Sequence, residues 1–478
     1  MEDLLEIAVQ RARSLGASYA EARYQSDRNE SILLKGGTPE ATGLETRRGI
    51  SVRVLVNGAL SFGATNILGK RSLDRLVRTV VKGASAAASA RKTPITMSPA
   101  EMTVADHRPR PRVSFEAVPL ESRLELLKEA DSAALEAAER SGIKLPGRYI
   151  SLDALMTERV VLNSDGGRVR SVLPRVSVDI FLTALHPEKG AMQRMVSRGV
   201  SAGWEGAESW DLPKLLGRET RTLSKILQEA KPFQGGNMDV VLGPEVVGLV
   251  SHESSGHPAE GDRILGREAA QAGETYLSKD SLGLKVGSEL VNVVDDPTLP
   301  HSFGHYLYDE EGVKARRRYL IKEGVINEFL HNRETAAEFG VTSNGSSRSV
   351  AYDREPIVRM ANTFVEPGDH SLEEILEGVS SGVYLKNFME WNIDDRRYNQ
   401  KYVGLEAYLI ENGELTSLVR NPVLEITTPG LWQAVDAVGA ELEFSSAYCG
   451  KGDPMQGIPV GTGGPYLRLR GIRMGGSV

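Results

Sequence analysis

The sequence has a single cysteine, Cys449, few aromatic side chains and no long apolar run. One cysteine excludes an intrachain disulfide, and no segment has the apolar length that a membrane span requires. Aromatic residues make up 6% of the 478 residues and the net charge is −7, so a basic, aromatic nucleic-acid surface is not indicated. Residues 1–16 form an amphipathic stripe without the apolar core of a signal peptide. We therefore expect a cytoplasmic protein that binds neither nucleic acid nor membrane.

The length and composition predict several domains with an α+β fold. The N-terminal region reads as helices and antiparallel hairpins, and the C-terminal region reads as a strand-rich mixed domain. A second set of helix and hairpin patterns follows the first in a similar order, without a repeat at the level of residues. The predicted divisions are an α/β subdomain at 1–90, a linker at 91–114, a second α/β subdomain at 115–231, and a C-terminal domain at 232–478.

A candidate metal motif, His252-Glu253-Ser254-Ser255-Gly256-His257, lies at the start of this C-terminal domain. Its two imidazoles and the Cys449 thiolate would fill three positions of a tetrahedral Zn²⁺ ion. The fourth position would hold a water whose pKa the metal lowers to about 7, with Glu253 as its base. The motif is short enough to arise by chance, and an unpaired cysteine is more often a small buried hydrophobe.

The five-residue spacing of the two histidines differs from the four-residue spacing that places two side chains on one helix face. Gly243 and Pro244 fit the N-cap and first position of a helix that leads into the motif. Gly256 weakens this helix, and Pro258 disfavours helical backbone at the residue before it. We therefore expect the last turn to widen into a π-type turn or to unwind, which could bring the histidines together.

Several further segments accompany the motif, and together they resemble the TldD/PmbA family over most of the chain. The segments are 252–257 with Glu260-Gly261-Asp262, Asp309-Glu310-Glu311-Gly312-Val313, 315–324, Arg359-Met360-Ala361-Asn362-Thr363, Pro367-Gly368, 408–413, Cys449-Gly450-Lys451-Gly452, and the strand-rich stretch 49–66. TldD-type members of this family are cytoplasmic metallopeptidases that were once named as modulators of DNA gyrase. The acidic composition gives no support to the gyrase label.

The resemblance implies a zinc-dependent peptidase that hydrolyses short or unfolded peptides. His252, His257 and Cys449 would be the ligands of one Zn²⁺ per chain, and Glu253 would be the catalytic base. A second branch of the family lacks the metal motif and serves as a partner subunit, and this chain resembles the catalytic branch. A homodimer, or a heterodimer with a motif-lacking paralogue, is therefore expected.

Other interpretations stay open at this stage. The zinc could be structural in a non-catalytic subunit, with Glu253 as a fourth ligand, or the enzyme could hydrolyse a non-peptide amide. Iron or another divalent ion could replace zinc. His301 and His305 form a rival pair at four-residue spacing, but Pro300 and Gly304 favour a loop there.

Two further features near the motif have competing readings. Glu260 and Asp262 fit carboxylates that orient a ligand histidine, or equally a solvated charged turn. The glycine-rich segment 457–464 lacks the ending of a phosphate loop, and we expect it to form turns beside the metal site. The step from Asp453 to Gln456 is longer than the family resemblance suggests, so the loop after Cys449 is expected to differ.

Overall fold

The computed structural model describes residues 1–268 and 273–476. The helices in these ranges are α1 (Glu2–Ser14), α2 (Lys70–Ala90), α3 (Leu120–Arg140), α4 (Trp204–Glu208), α5 (Leu212–Glu229), α6 (Pro244–Ser251), α7 (Gly261–Ile264), α8 (Arg333–Phe339), α9 (Leu372–Glu377) and α10 (Thr428–Ala434). Short 3₁₀ turns lie at Phe115–Ala117 and Lys279–Ser281, and a π-turn lies at His252–Gly256. Among the described helices, none is both long and apolar enough to cross a membrane.

The described strands form three larger sheets and one two-stranded ladder. They are β1 (Tyr19–Lys35), β2 (Thr38–Val56), β3 (Ala59–Thr65), β4 (Val104–His107), β5 (Lys144–Asn163), β6 (Arg168–His186), β7 (Gly190–Val200), β8 (Lys231–Pro232), β9 (Gly236–Leu242), β10 (Val293–Asp295), β11 (Arg318–Lys322), β12 (Val325–Ile326), β13 (Ser347–Arg348), β14 (Ile357–Val358), β15 (Asn362–Val365), β16 (Ser381–Leu385), β17 (Phe388–Ile393), β18 (Asn399–Gly404), β19 (Ala407–Glu411), β20 (Glu414–Arg420), β21 (Pro422–Thr427), β22 (Val435–Val438), β23 (Glu443–Lys451), β24 (Gln456–Gly464) and β25 (Leu467–Gly476). With helices and sheets mixed in this way, the predicted α+β class is confirmed.

The N-terminal sheet has seven strands in the order β3-β2-β1-β5-β6, with β4 and β7 both paired to β6. Its first half runs α1-β1-β2-β3-α2, and its second half repeats this order with α3, three strands and α5. Strands β1 and β5 join the halves in an antiparallel pair that extends from Glu21 opposite Asn163 to Lys35 opposite Tyr149. The second helix and hairpin set therefore matches the first in topology. The domain boundaries themselves stay a prediction.

The two faces of this sheet differ because side chains alternate along a strand. In β1, residues such as Ala20 and Ile32 pack into the apolar clusters beneath the helices. Glu21, Arg23 and Gln25 point to the other face and are also buried. The sheet therefore has an apolar face toward its own helices and a polar face that needs partners elsewhere.

The C-terminal region supplies those partners through buried ion pairs. Arg23 pairs with Glu310, and Arg53 lies 3.0 Å from Glu21 and 2.6 Å from Glu311. Burial raises the pKa of nearby Asp309 to about 8, and the charge of Glu311 adds to this effect. The acidic segment 309–311, which forms part of the family resemblance, therefore docks the N-terminal sheet.

The C-terminal region is built on two sheets with α6 packed among them. One sheet has the strand order β12-β11-β10-β15-β24-β23, and the other has the order β17-β18-β21-β25-β9-β16-β19-β20-β8 with β22 added to β25. The largest apolar cluster contains residues of both sheets and of α6. This core positions the helix that leads into the candidate metal motif.

We expect Arg53→Met to lower the free energy of unfolding by about 3 kcal/mol or more, because Glu21 and Glu311 would remain buried without their cation. Urea denaturation followed by circular dichroism measures this change. The matched control is Arg78→Met, which removes an exposed pair with Asp74 and should move the midpoint little. Equal effects of the two substitutions would contradict the role given to the buried pairs.

Candidate metal centre

Helix α6 lies unusually close to the backbone of strand β24. A side chain at Gly248 would approach the backbone nitrogen of Gly463 to 2.9 Å, and one at Gly464 would approach Val247 Cγ1 to 2.2 Å. Segment 457–464 lies in β24, so the expectation that it forms turns is wrong. Glycine is needed here since a helix and a strand meet with little space for side chains between them.

The end of α6 carries the two histidines of the motif. Gly243 is the N-cap and Pro244 opens the helix, as the sequence predicts. Beyond Ser251 the backbone widens into the π-turn, in which the His257 amide donates to the His252 carbonyl at 3.0 Å. The predicted widening is confirmed, and it places the two imidazole rings with centroids 4.9 Å apart.

Cys449 reaches the same place from the other end of the C-terminal region. It lies on β23, which pairs with β24, and its Sγ is 3.4 Å from His257 Nε2. The donor atoms of His252, His257 and Cys449 all lie within 4.8 Å of one another, and all three residues are buried. Within 1–268 and 273–476, this is the one group of three or more His, Cys, Asp or Glu donors close enough to share an ion.

The geometry and chemistry of the three donors fit a divalent metal. Tetrahedral zinc with nitrogen and sulfur ligands separates neighbouring ligand atoms by roughly 3.3–3.6 Å, and the Sγ to Nε2 distance of 3.4 Å agrees. His252 Nδ1 is buried and has no hydrogen-bond partner in the described part of the chain. Burial lowers the pKa of His252 and of His257, which favours the neutral imidazole that a metal requires.

The thiol of Cys449 is similarly prepared for ligation. Burial alone would raise its pKa, but contact with His257 and the charge of Arg359 outweigh burial and lower the pKa below its ordinary value. Arg359 also donates to the Cys449 carbonyl, which fixes this part of β23. This direction favours the thiolate, which is the form that binds a metal.

A buried carboxylate orients the ring of His257. Glu260 Oε2 lies 2.9 Å from His257 Nδ1, which leaves Nε2 directed at Cys449. Burial would raise the pKa of Glu260, but Lys451 and His257 lower it well below its ordinary value. Asp262 contacts Lys451 Nζ at 2.7 Å. Glu260 thus occupies the position expected of a carboxylate that orients a ligand, and Asp262 lies one contact further away.

Glu253 contacts an arginine that the sequence analysis did not identify. Arg397 Nη1 donates to Glu253 Oε2, and both side chains are largely buried. Arg397 lies in the turn between β17 and β18 at φ +61°, and Thr428 holds its carbonyl with a hydrogen bond of 2.8 Å. Strained backbone of this kind is concentrated at functional sites. No local pattern in the sequence signals this contact, which depends on the sheet topology.

A cavity of about 410 Å³ opens beside the three donors. Glu253 and Arg397 line it together with apolar side chains, among them Leu249, Phe388 and Trp391.

The rival histidines do not join the three donors. His305 is buried with its ring centroid 5.8 Å from that of His107, and His301 is exposed at φ +60°.

The sequence matches three models of one family along most of its length. These models describe PmbA/TldA metallopeptidase domain 1 at residues 20–84, the central domain at 114–228, and the C-terminal domain at 235–476. The motif resemblance is therefore confirmed by matches that extend well beyond the motif.

Individual relatives agree with the family models. A metalloprotease of Methanocaldococcus jannaschii is 30% identical over 98% of this chain and 97% of its own length. A zinc metalloprotease TldD homolog of Saccharolobus solfataricus is 30% identical over 56% of this chain and 58% of its own length. The chain has the fold of a Thermotoga maritima protein described as a candidate modulator of a DNA gyrase, with 17% identity, coverage of 99% and 100%, and TM-score 0.78. It shares that fold with TldE of Thermococcus kodakarensis, at 16% identity, the same coverage and TM-score 0.74. On the family models and the full-length relative together, this chain belongs to the PmbA/TldA metallopeptidase family.

Proposed function

We propose that this chain is a zinc-dependent peptidase that hydrolyses short or unfolded peptides. His252, His257 and Cys449 would hold one Zn²⁺ ion, and Glu253 would be the catalytic base. The observation that carries the proposal is the convergence of the three donors, from positions nearly two hundred residues apart, at the edge of a cavity that Glu253 also lines. The name of the S. solfataricus relative supports zinc as the metal.

The residues around the donors have distinct roles in this proposal. When bound, the ion would supply Lewis acidity for the scissile carbonyl and for the attacking water. Glu253 takes the proton of that water and later delivers it to the nitrogen of the leaving amine. Arg397 holds one oxygen of the Glu253 carboxylate and so fixes its direction. Glu260 keeps His257 in one ring orientation.

Two features favour a peptide as the substrate. The cavity volume of about 410 Å³ suits a small ligand or a short segment of peptide. Strand β23 is the terminal strand of its sheet among the described strands, so one row of its backbone groups has no strand partner. An extended peptide can use such an edge for main-chain hydrogen bonds.

The contact between Glu253 and Arg397 favours a catalytic ion over a structural one. A fully protein-ligated site would require Glu253 as the fourth ligand. Its carboxylate instead bonds to Arg397, and it is absent from the group of donors that lie within 4.8 Å. We further propose a cytoplasmic dimer, formed either with a second copy of this chain or with a motif-lacking paralogue, on the basis of the family resemblance.

The purified chain should contain about one zinc per molecule, and Cys449→Ala and His257→Ala should each lose most of it, because each removes one of three protein ligands. Elemental mass spectrometry measures the metal. His301→Ala is the matched control and should keep the wild-type content. Full zinc retention in Cys449→Ala would rule out the proposed set of ligands.

Glu253→Gln should retain zinc and lose turnover of peptides by roughly 10²–10⁴-fold, which is the usual contribution of a general base. Peptide hydrolysis is followed by mass spectrometry, and metal content is measured on the same samples. Glu139→Gln, an exposed change on α3, should leave both values unchanged. Loss of zinc in Glu253→Gln would instead indicate a structural ligand. Turnover of small amides but not of peptides would identify a different hydrolase.

A further inference from the structure

The cavity beside the three donors has walls from both halves of the molecule. Residues 195–198 of β7 line one side, and residues 445–450 of β23 line the other. A second cavity of about 360 Å³ adjoins the first, and both are lined by Arg198, Ser445 and Ser446. Arg198 therefore lies where the two cavities meet, on the wall that the N-terminal sheet supplies.

Arg198 differs from the other charged side chains of the first cavity in lacking an ion partner. Glu245 accepts two hydrogen bonds from Arg194, at 2.6 and 2.7 Å, and Glu253 accepts one from Arg397. Within the described ranges, Arg198 forms no ion pair. It therefore leaves a positive charge on the cavity wall that no direct ion pair neutralises.

The two carboxylates whose charges act on Arg198, Glu245 and Glu219, are already bound by other arginines. Glu219 lies 3.1 Å from Arg194 and 3.2 Å from Arg218. The hydrogen bond found for the Arg198 side chain goes to the backbone carbonyl of its own neighbour, Ser197, at 2.9 Å. The charge of Arg198 is thus free to act on a molecule that enters the cavity.

Arg198 is also partly removed from water. Burial lowers its pKa, although the carboxylates of Glu245 and Glu219 act in the opposite direction. A half-buried cation without a counterion is costly, and a carboxylate ligand would offset that cost. The planar guanidinium group binds a carboxylate through two parallel hydrogen bonds, which gives direction as well as strength.

We propose that Arg198 is a binding site for a carboxylate of the peptide substrate, which is supplied either by an acidic side chain or by the C-terminus. This inference rests on the proposed peptidase function. A preference for substrates with a carboxylate would then come from one positive charge on the cavity wall, although the chain as a whole is acidic. Apolar side chains that line the same cavity, including Met195 and Leu249, would contact the rest of the peptide.

The test uses the zinc-loaded chain and alanine tetrapeptides amidated at the C-terminus, with Glu or Gln at each position in turn. An all-alanine tetrapeptide with a free or an amidated C-terminus completes the panel. We expect at least one charged peptide to have a kcat/KM about tenfold higher than that of the matched neutral peptide, mostly through a lower KM. A hydrogen-bonded pair of carboxylate and arginine contributes about that much to binding. The Glu peptides and the free C-terminus distinguish the two sources of the carboxylate.

Arg198→Met should abolish the difference in kcat/KM between each charged peptide and its matched neutral peptide. Arg198→Lys should restore part of this difference. Arg140→Met is the matched control, because Arg140 is exposed on α3, and it should keep the difference. Zinc content and circular dichroism establish that each variant is folded. Should Arg198→Met be unfolded, Arg198→Gln takes its place. If the wild-type chain cleaves each charged peptide and its matched neutral peptide equally well, the inference is overturned and the peptidase proposal stays intact.

Binding of the same peptides, measured by calorimetry, separates the two proposals. If no peptide is cleaved, the proposed peptidase function of this chain by itself fails. Charge-dependent binding that disappears in Arg198→Met would then still support the carboxylate site. Binding without regard to charge, or no binding to any peptide of the panel, would overturn the site whether or not cleavage occurs.

Discussion

The close packing of helix α6 on strand β24 is the constraint on which the candidate site depends. Gly248 on the helix and Gly464 on the strand leave the two backbones almost in contact. The helix continues into the π-turn with both histidines, and the strand pairs with β23, which carries Cys449. The three donors are therefore held by regular elements, which position side chains more accurately than loops do.

The rest of the molecule closes the space in front of these donors. All three donors and Glu253 belong to the C-terminal region, whereas one cavity wall comes from β7 of the N-terminal sheet. That sheet is attached through buried ion pairs such as Arg23 with Glu310, beside apolar contacts elsewhere. Buried ion pairs demand defined geometry and so fix one docking position more narrowly than apolar packing would. The chemistry and the shape of the cavity thus come from different halves of the chain.

Local rules explain which parts of this arrangement the sequence predicts. Gly243 and Pro244 define the start of α6, and Gly256 with Pro258 predicts the widened turn, because these effects act within a few residues. The approach of Cys449 follows from the family resemblance alone, since no spacing rule reaches across the domain. Glycine in 457–464 signals turns and close strand packing equally, and only the partner helix decides between them.

Sheet topology determines the positions of Arg198, Arg397 and Lys451. No pattern in the neighbouring sequence therefore predicts their contacts. The division of the chain into domains and the roles of the donors remain predictions.

The hairpin of β23 and β24 limits where this family member can gain or lose residues during evolution. Cys449 lies opposite Ile458 and is buried, while the adjacent Tyr448 is about half exposed. Since side chains alternate along a strand, deletion of one residue between Cys449 and the turn would shift the pairing and exchange the two faces. Residues 452–455, which connect the two strands, lie outside that ladder, so a change of length there leaves the pairing in place. Length variation among relatives should therefore accumulate at 452–455 and be rare within the strands on either side.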